Sequence, residues 1–405
     1  MTIKRLKVSI NGVKIMKKFK MLVVACLTVA FLAFFAGCGE TVVVNRYLDV
    51  NNPTLAFKLM SDGTFTMSNY GDVTEYWTDY EFKEASKIVI GREWEDRIDD
   101  IKKLVVKERV GSIGAYAFYG AANLSELYIG PDVAYINESA FENCFNLKKI
   151  TVDANNTYLK IENGYLIQLS DNRIIRGTDR AEIVLGENVE KIEKSAFGGL
   201  GSIKKIDMSQ SAVKEIPANA FINCSSLAEV ALPSGLVDIG ESAFAKCSSL
   251  SSVNLKDCAM LTTINDDAFF GCSSLTEVEL PAAVKKIGIL AFSKSGLAKI
   301  SFAESDTKIT IGSNAFYECN ALKEVYISNS TMPETFKKTD SAGYLISVKY
   351  AASKGEVIRK MNVYIAADIF DAETAGAYLI NADNYIRLSD NASVDGVDFV
   401  VYQAK

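Results

Sequence analysis

Eight cysteines and not one histidine define the chemistry open to this chain of 405 residues. Without imidazole the usual general base, the commonest metal ligand and every histidine-based triad are excluded. Five of the cysteines recur in one context: Cys144 in AFENCFNL, Cys224 in AFINCSSL, Cys247 in AFAKCSSL, Cys272 in AFFGCSSL and Cys319 in AFYECNAL. A redox or metal role calls for CxxC pairs or Cys/His clusters, and neither occurs. Leu200 and Ser295 hold the same position in two further blocks. A position that accepts leucine is a packing position, where cysteine acts as a small buried hydrophobe. Stacking of neighbouring blocks at about 4.8 Å would also leave disulfides sterically open. No phosphate loop, GxGxxG, GxSxG elbow or HExxH is present. The acidic run EWEDRIDD (93–100) reads as a solvated face, and SDNASVDG (389–396) has calcium-binding residue types without the loop spacing. No cofactor or metal is expected, and the chain is expected not to be an enzyme.

The charge is unevenly placed. Residues 1–37 hold seven Lys or Arg and no acid, so the remainder has 37 basic against 50 acidic residues, a net of −13. Such a body offers no basic cluster for phosphates, which argues against nucleic acid as a partner. From Met16, the better start, Lys17, Lys18 and Lys20 precede an apolar run ending in FAGC. A basic n-region, an apolar h-region and a small-residue exit form a secretory signal over residues 1–37. The FAGC ending resembles the lipobox of bacterial lipoproteins, with Phe35 where that motif prefers leucine. The resemblance implies cleavage after Gly37 and lipid attachment at Cys38, hence an extracytoplasmic, membrane-anchored protein.

The elements that would position any site come from a repeat. Ala-Phe recurs at Ala117, Ala140, Ala196, Ala220, Ala243, Ala268, Ala291 and Ala315, a period of 23–25 residues with one insertion between Ala140 and Ala196. With each Ala as position 1, apolar residues recur at 2, 8, 11, 13, 17 and 20, as in Phe221, Leu227, Val230, Leu232, Leu236 and Ile239. Positions 11 and 13 take the two-residue period of a strand that Pro233 then ends. The stretch VDIGESAFAKCSSL carries apolar residues three or four apart and predicts a turn or two of helix. Such units bury their apolar side only by stacking, which predicts a solenoid with a strand ladder.

Leu-x-x-Val-x-Leu joined to Ala-Phe-x-x-Cys resembles the BspA-like bacterial leucine-rich repeats of surface proteins. The expected fold is a repeat solenoid, mixed α/β with a strand ladder and small β-rich N-terminal and C-terminal caps. Its expected parts are an N-terminal β cap over 38–108, eight repeats over 109–330, a hairpin insertion over 153–185 and a C-terminal β-rich cap or module over 331–405. Within the insertion, ENGYLIQLSDNRIIRG (162–177) reads as a hairpin turning at Ser-Asp-Asn, and Asp62-Gly63 marks another hairpin.

Position 12 should point outward from the ladder. There Tyr128, Asn254, Glu279 and Tyr326 are the candidate binding-surface residues, in a column with neither one charge sign nor an aromatic stripe. The resemblance implies adhesion, with a protein or glycan partner on a host or neighbouring cell and the membrane reached through the lipid. A non-catalytic structural envelope protein is the alternative, and a carboxylate-based hydrolase in the C-terminal region a third reading.

Overall fold

The computed structural model describes residues 45–48, 54–71, 81–83, 88–90, 94–305, 309–322, 324–329, 362–366, 385–394 and 397–404. Cys38 and residues 1–37 lie outside them, as does much of 331–405.

Each coil contributes a front strand at positions 10–13 and a two-residue back strand at positions 19–20. The front strands form parallel ladders: Lys103–Val106, Glu126–Ile129 and Lys149–Val152; then Glu182–Val184, Lys205–Asp207, Glu229–Ala231 and Ser252–Val253; then Glu277–Leu280, Lys299–Ser305, Glu324–Asn329 and Asn362–Ala366. Antiparallel strands Asn45–Leu48, Leu55–Leu59 and Thr64–Asn69 precede the first ladder, the last two turning at Asp62-Gly63. Antiparallel Tyr385–Val394 and Val397–Ala404 follow the last. Back strands Glu215–Ile216, Asp238–Ile239, Thr263–Ile264, Lys286–Ile287 and Thr310–Ile311 form a second parallel ladder. Position 11 faces inward, as at Leu127, Ile206 and Val230, all at most 2% exposed.

The helix expected in VDIGESAFAKCSSL does not form. Among the described residues the only helical segments are 3-10, at Glu95–Asp100 and Leu255–Asp257, so the mixed α/β expectation gives way to a β-solenoid. The reason lies in the backbone of the Ala-Phe block. The residue before each Ala and the residue at position 4 are left-handed: Ser242 and Lys246 have φ of 54° and 61°, and the other seven blocks repeat the pattern. Two left-handed residues four apart are incompatible with a right-handed helix. The amides instead alternate. Ala220, Ile222 and Cys224 donate three residues back, whereas Asn219, Phe221 and Asn223 donate to Glu241, Ala243 and Ala245 of the next coil. One face of the block closes the turn, and the other bonds coil to coil.

The phenylalanines form a column. From Phe197 through Phe221, Phe244, Phe269 and Phe292 to Phe316, ring centroids lie 5.0–5.5 Å apart with planes within 11° of parallel. Trp94, inside the acidic run 93–100, is fully buried and packs on Phe57, Phe65 and Phe118.

The repeat cysteines are free thiols, all buried. Each donates S–H to the carbonyl of the preceding coil's phenylalanine: Cys224 to Phe197 at 3.1 Å, Cys247 to Phe221 at 3.1 Å, Cys272 to Phe244 at 3.2 Å. Burial pushes the Cys224 and Cys272 thiols up to about 12 and Cys319 to about 11. Raised so far, they carry negligible thiolate near neutrality and are poor nucleophiles.

Three outcomes test this account. Under native conditions near pH 8 a maleimide leaves Cys144, Cys224, Cys247, Cys258, Cys272 and Cys319 unlabelled, and denaturant exposes all six; peptide mapping reads both, and native labelling of any repeat cysteine would contradict the account. Leu290 holds a left-handed site at φ 56° where six of the other seven blocks place Ser, Asn or Asp and the first places Tyr116. Leu290→Asn should therefore gain about 1 kcal/mol in equilibrium denaturation. Asp267, also left-handed, has its carboxyl raised by burial and then by Asp266 and Glu241. A raised folded-state value means the native state holds this proton more tightly, so stability falls as pH climbs through that value. Asp267→Asn should accordingly raise the melting temperature at neutral pH, the gain vanishing below the ordinary carboxylate range. A gain independent of pH would show that its charge is not the cause.

Candidate functional site

The front face of the ladder is where a strand residue can reach a partner, through positions 10 and 12. Position 10 alternates in sign along each run: Lys103, Glu126 and Lys149, then Glu182, Lys205 and Glu229, then Glu277, Lys299 and Glu324. Like charges directly opposite one another are destabilising in a sheet, and alternation removes that cost. Glu126 pairs with Lys103 at 3.9 Å and Lys149 at 3.3 Å, Glu229 with Lys205 at 2.6 Å and Glu277 with Lys299 at 2.7 Å. These solvated pairs are each worth at most about 1 kcal/mol. Their consequence is electrostatic: the column neutralises itself and leaves no single-sign stripe.

Position 12 therefore carries the variation, and all four candidate residues there are engaged within the fold. Tyr128 donates its hydroxyl to the Asp153 carboxylate at 2.5 Å. That bond raises the Tyr128 pKa and lowers that of Asp153. Asn254 acts as a substitute ladder rung: its Oδ1 accepts the Leu232 N–H at 2.7 Å and its Nδ2 donates to the Leu232 carbonyl at 3.2 Å. Glu279 pairs with Lys256 at 2.5 Å. Tyr326 donates to Glu324 at 3.3 Å, and the Lys299 ammonium sits 5.2 Å from its ring centroid. Asn254 and Glu279 belong to consecutive coils. Tyr128 and Tyr326 lie in the first and the last of the three front ladders, at opposite ends of the repeats. The arrangement is an extended strip with no point of convergence.

A second feature, missed in the sequence because position 19 fell in the stretch expected to be helical, is a shallow depression of ≈ 290 Å³ beside the back ladder. It is lined by Lys194, Glu215, Asp238, Glu241, Asn265, Asp266 and Lys286, with Ala218 and Gly240 as its floor. Asn265 donates to Asp238 at 2.9 Å and accepts from Lys286 at 3.3 Å. Burial raises the Asp238 carboxyl, and the Asn265 hydrogen bond partly offsets the rise. Gly240 is required there, because a Cβ would lie 2.8 Å from the backbone of Ile216, Pro217 and Ala218. Charges of both signs line it, and no Ser, Thr or Cys is among the lining residues. Among the described residues no group of three or more Asp, Glu, Cys or His could hold a metal, and no helix is long and apolar enough to cross a membrane. Residues 389–394 of the calcium-like run fall on strand Tyr385–Val394, and the rest of that run and the side chains of the hydrolase reading in 331–405 lie outside the described residues.

Comparison with known proteins follows the coils. The pattern of the BspA type leucine rich repeat region matches in six copies, over residues 91–170, 176–260 and 258–342. Among curated proteins none matches the chain. Among known structures the chain is similar to a leucine-rich repeat protein from Eubacterium ventriosum, at 19% identity over 74% of this chain and 100% of that one, with a TM-score of 0.37. It is similar to a leucine rich cell surface protein from Faecalibacterium prausnitzii at 17% identity, over 70% and 94% of the two chains, with a TM-score of 0.32. For the pneumococcal vaccine antigen PcpA the identity is 16%, the coverage 75% and 90%, and the TM-score 0.33. Since the repeat pattern matches more than half of its length, the chain belongs to the BspA-type leucine-rich-repeat family.

Proposed function

We propose that this protein is a non-catalytic, lipid-anchored binding protein of the bacterial cell surface. In this reading it adheres to a protein or glycan on a host or neighbouring cell. The observation that carries the reading is the strip itself: an exposed ladder face whose position 10 charges cancel, leaving position 12 free to vary from coil to coil. Such a surface suits contact with something extended, since its candidate residues are spread along the axis. The chain has no histidine, and its repeat thiols are buried and protonated, which supports a binding role over catalysis. The lipobox-like FAGC supports anchoring through Cys38. The resemblance to a vaccine antigen and to a cell surface protein supports an outward-facing location.

A passive, envelope-spacing role is favoured by one observation: Tyr128, Asn254, Glu279 and Tyr326 are all occupied by internal partners. The two readings separate on one comparison. The mature chain, immobilised and exposed to matrix proteins, glycans and partner cells, should retain a saturable ligand. The combined change Glu279→Lys and Tyr326→Ser should weaken it at least ten-fold with an unchanged melting temperature, placing the contact on the ladder. Retention of nothing above background, together with altered envelope integrity on deletion, would favour the spacer. Cys38→Ser should move the protein from the membrane fraction to the soluble one and abolish fatty-acid labelling; persistence in the membrane would refute the anchor.

A further inference from the structure

The solenoid is interrupted twice along its front ladder, and the two interruptions differ in depth. Between Ser252–Val253 and Glu277–Leu280 only the front strands part. The phenylalanine column passes from Phe244 to Phe269 at 5.3 Å, and the back strands Asp238–Ile239 and Thr263–Ile264 stay paired. Between Lys149–Val152 and Glu182–Val184 the front strands, the back strands and the ring column all part. The rings Phe118 and Phe141 stack with each other but not with Phe197, and the hydrophobic core divides into two clusters.

What fills this second break is the insertion. Strands Leu159–Glu162, Tyr165–Gln168 and Arg173–Gly177 form an antiparallel sheet joined through its last strand to the back strand Lys191–Ile192. Tyr165–Gln168 and Arg173–Gly177 are buried on both faces, whereas Leu159–Glu162 buries only Leu159, and the buried apolar residues alternate between the clusters. Leu159, Leu166 and Ile175 belong to the N-terminal core, whereas Tyr165, Ile167 and Ile174 belong to the C-terminal one. The hairpin is thus a partition wall between two cores.

The wall is secured by polar groups where other coils use backbone. Elsewhere an inward isoleucine of the back strand gives its carbonyl to the next coil's amide, as Ile216 does to Gly240 at 2.7 Å. At the wall Ile136 has no such neighbour. Its N–H goes to Gln168 Oε1 at 2.9 Å and its carbonyl accepts from Arg173 Nη2 at 2.8 Å, and these two side chains face each other across the hairpin. Arg173 also pairs with Asp171 and with Glu193 of the following coil.

Arg176 does the equivalent on the turn side, where this coil lacks its Ala-Phe block. Gly177 takes the role of phenylalanine, donating to Ala196 at 2.8 Å, and any Cβ there would lie 2.3 Å from the Phe197 ring. The Arg176 guanidinium, with no exposed surface, donates to three carbonyls: Leu147 at 3.0 Å on the N-terminal side, and Ser195 and Gly198 at 2.5 and 2.8 Å on the C-terminal side. A buried charge held only by carbonyls is costly unless its geometry is met in full. Removing it leaves the buried carbonyls of Leu147 and Gly198 without a donor, while that of Ser195 keeps the Gly198 N–H at 3.0 Å.

We propose that the insertion is a joint which locks two otherwise separate half-solenoids into one cooperative unit, with Arg176 as its principal bolt and Gln168–Arg173 as the second. Neighbour-only contact makes solenoid stability a sum of unit and interface terms, so cooperativity fails first at the weakest interface. A wall whose faces belong to different cores is that interface, and its polar clamp couples them.

The test is amide exchange with mass spectrometry on the full chain across a urea series, following peptides from 103–147 and from 203–325. In the parent protein the slowest amides of both regions should share one urea dependence. In Arg176→Met they should separate, with rates differing at least ten-fold at intermediate urea. The two tryptophans, Trp77 and Trp94, both precede the joint. Intrinsic fluorescence should therefore part from far-UV circular dichroism in the variant and coincide with it in the parent. Should Arg176→Met fail to fold, Gln168→Ala supplies the same comparison. Coincident exchange in the folded variant, or two transitions already present in the parent, would overturn the proposal.

Discussion

A phenylalanine ring lying 5.0–5.5 Å from the ring of the next coil is the contact on which this molecule depends. It sits in a turn whose backbone serves two directions at once, closing on itself through alternate amides and reaching across to the next coil with the others. That division is available only because two residues per coil accept a left-handed conformation. The cysteine follows from the same geometry. A packing side chain is needed at position 5, where Leu200 also serves, and a thiol adds a weak donor for the phenylalanine carbonyl of the preceding coil.

With the interior held this way, the outer face is organised by charge and by side-chain bonds between neighbouring coils. Alternating lysine and glutamate at position 10 let parallel strands sit in register without like charges meeting. Variation is left to position 12, where a ligand reading has to look. The same logic explains why the position 12 candidates converge on no pocket. Parallel coils place side chains in columns, and a column presents a strip unless an insertion breaks it.

The period, the strand at positions 10–13 and the packing role of the cysteine could all be read from Ala-Phe-x-x-Cys-x-x-Leu and its spacing. The hairpins at Asp62-Gly63 and Ser170-Asp171-Asn172 were also legible, because turn residues announce themselves locally. The helix was misread for a definable reason. Apolar residues three or four apart fit a helix, but they fit equally a turn whose side chains at positions 1, 2, 5 and 8 all point inward, and the left-handed residues that decide between them are Ser, Asn, Lys or even Leu290. Trp94 was hidden inside an acidic run, and Arg176 carries no local signal. Its burial depends on an absent Ala-Phe block and on Gly177 beside it, a relation that exists only once the coils are stacked. The four position 12 candidates were located on the right face, but their internal partners could not be foreseen, since each belongs to a neighbouring coil or to the same strand.

The central claim is that the stacked phenylalanine column carries the fold while the cysteine beside it fills space. Equilibrium denaturation of Phe244→Ala and Cys247→Ala, compared with the parent, tests it most directly. The account predicts a loss of about 3–5 kcal/mol for the phenylalanine. For the thiol it predicts no more than about 1.5 kcal/mol, the scale of a single neutral hydrogen bond. A cysteine loss equal to or larger than the phenylalanine loss would contradict it.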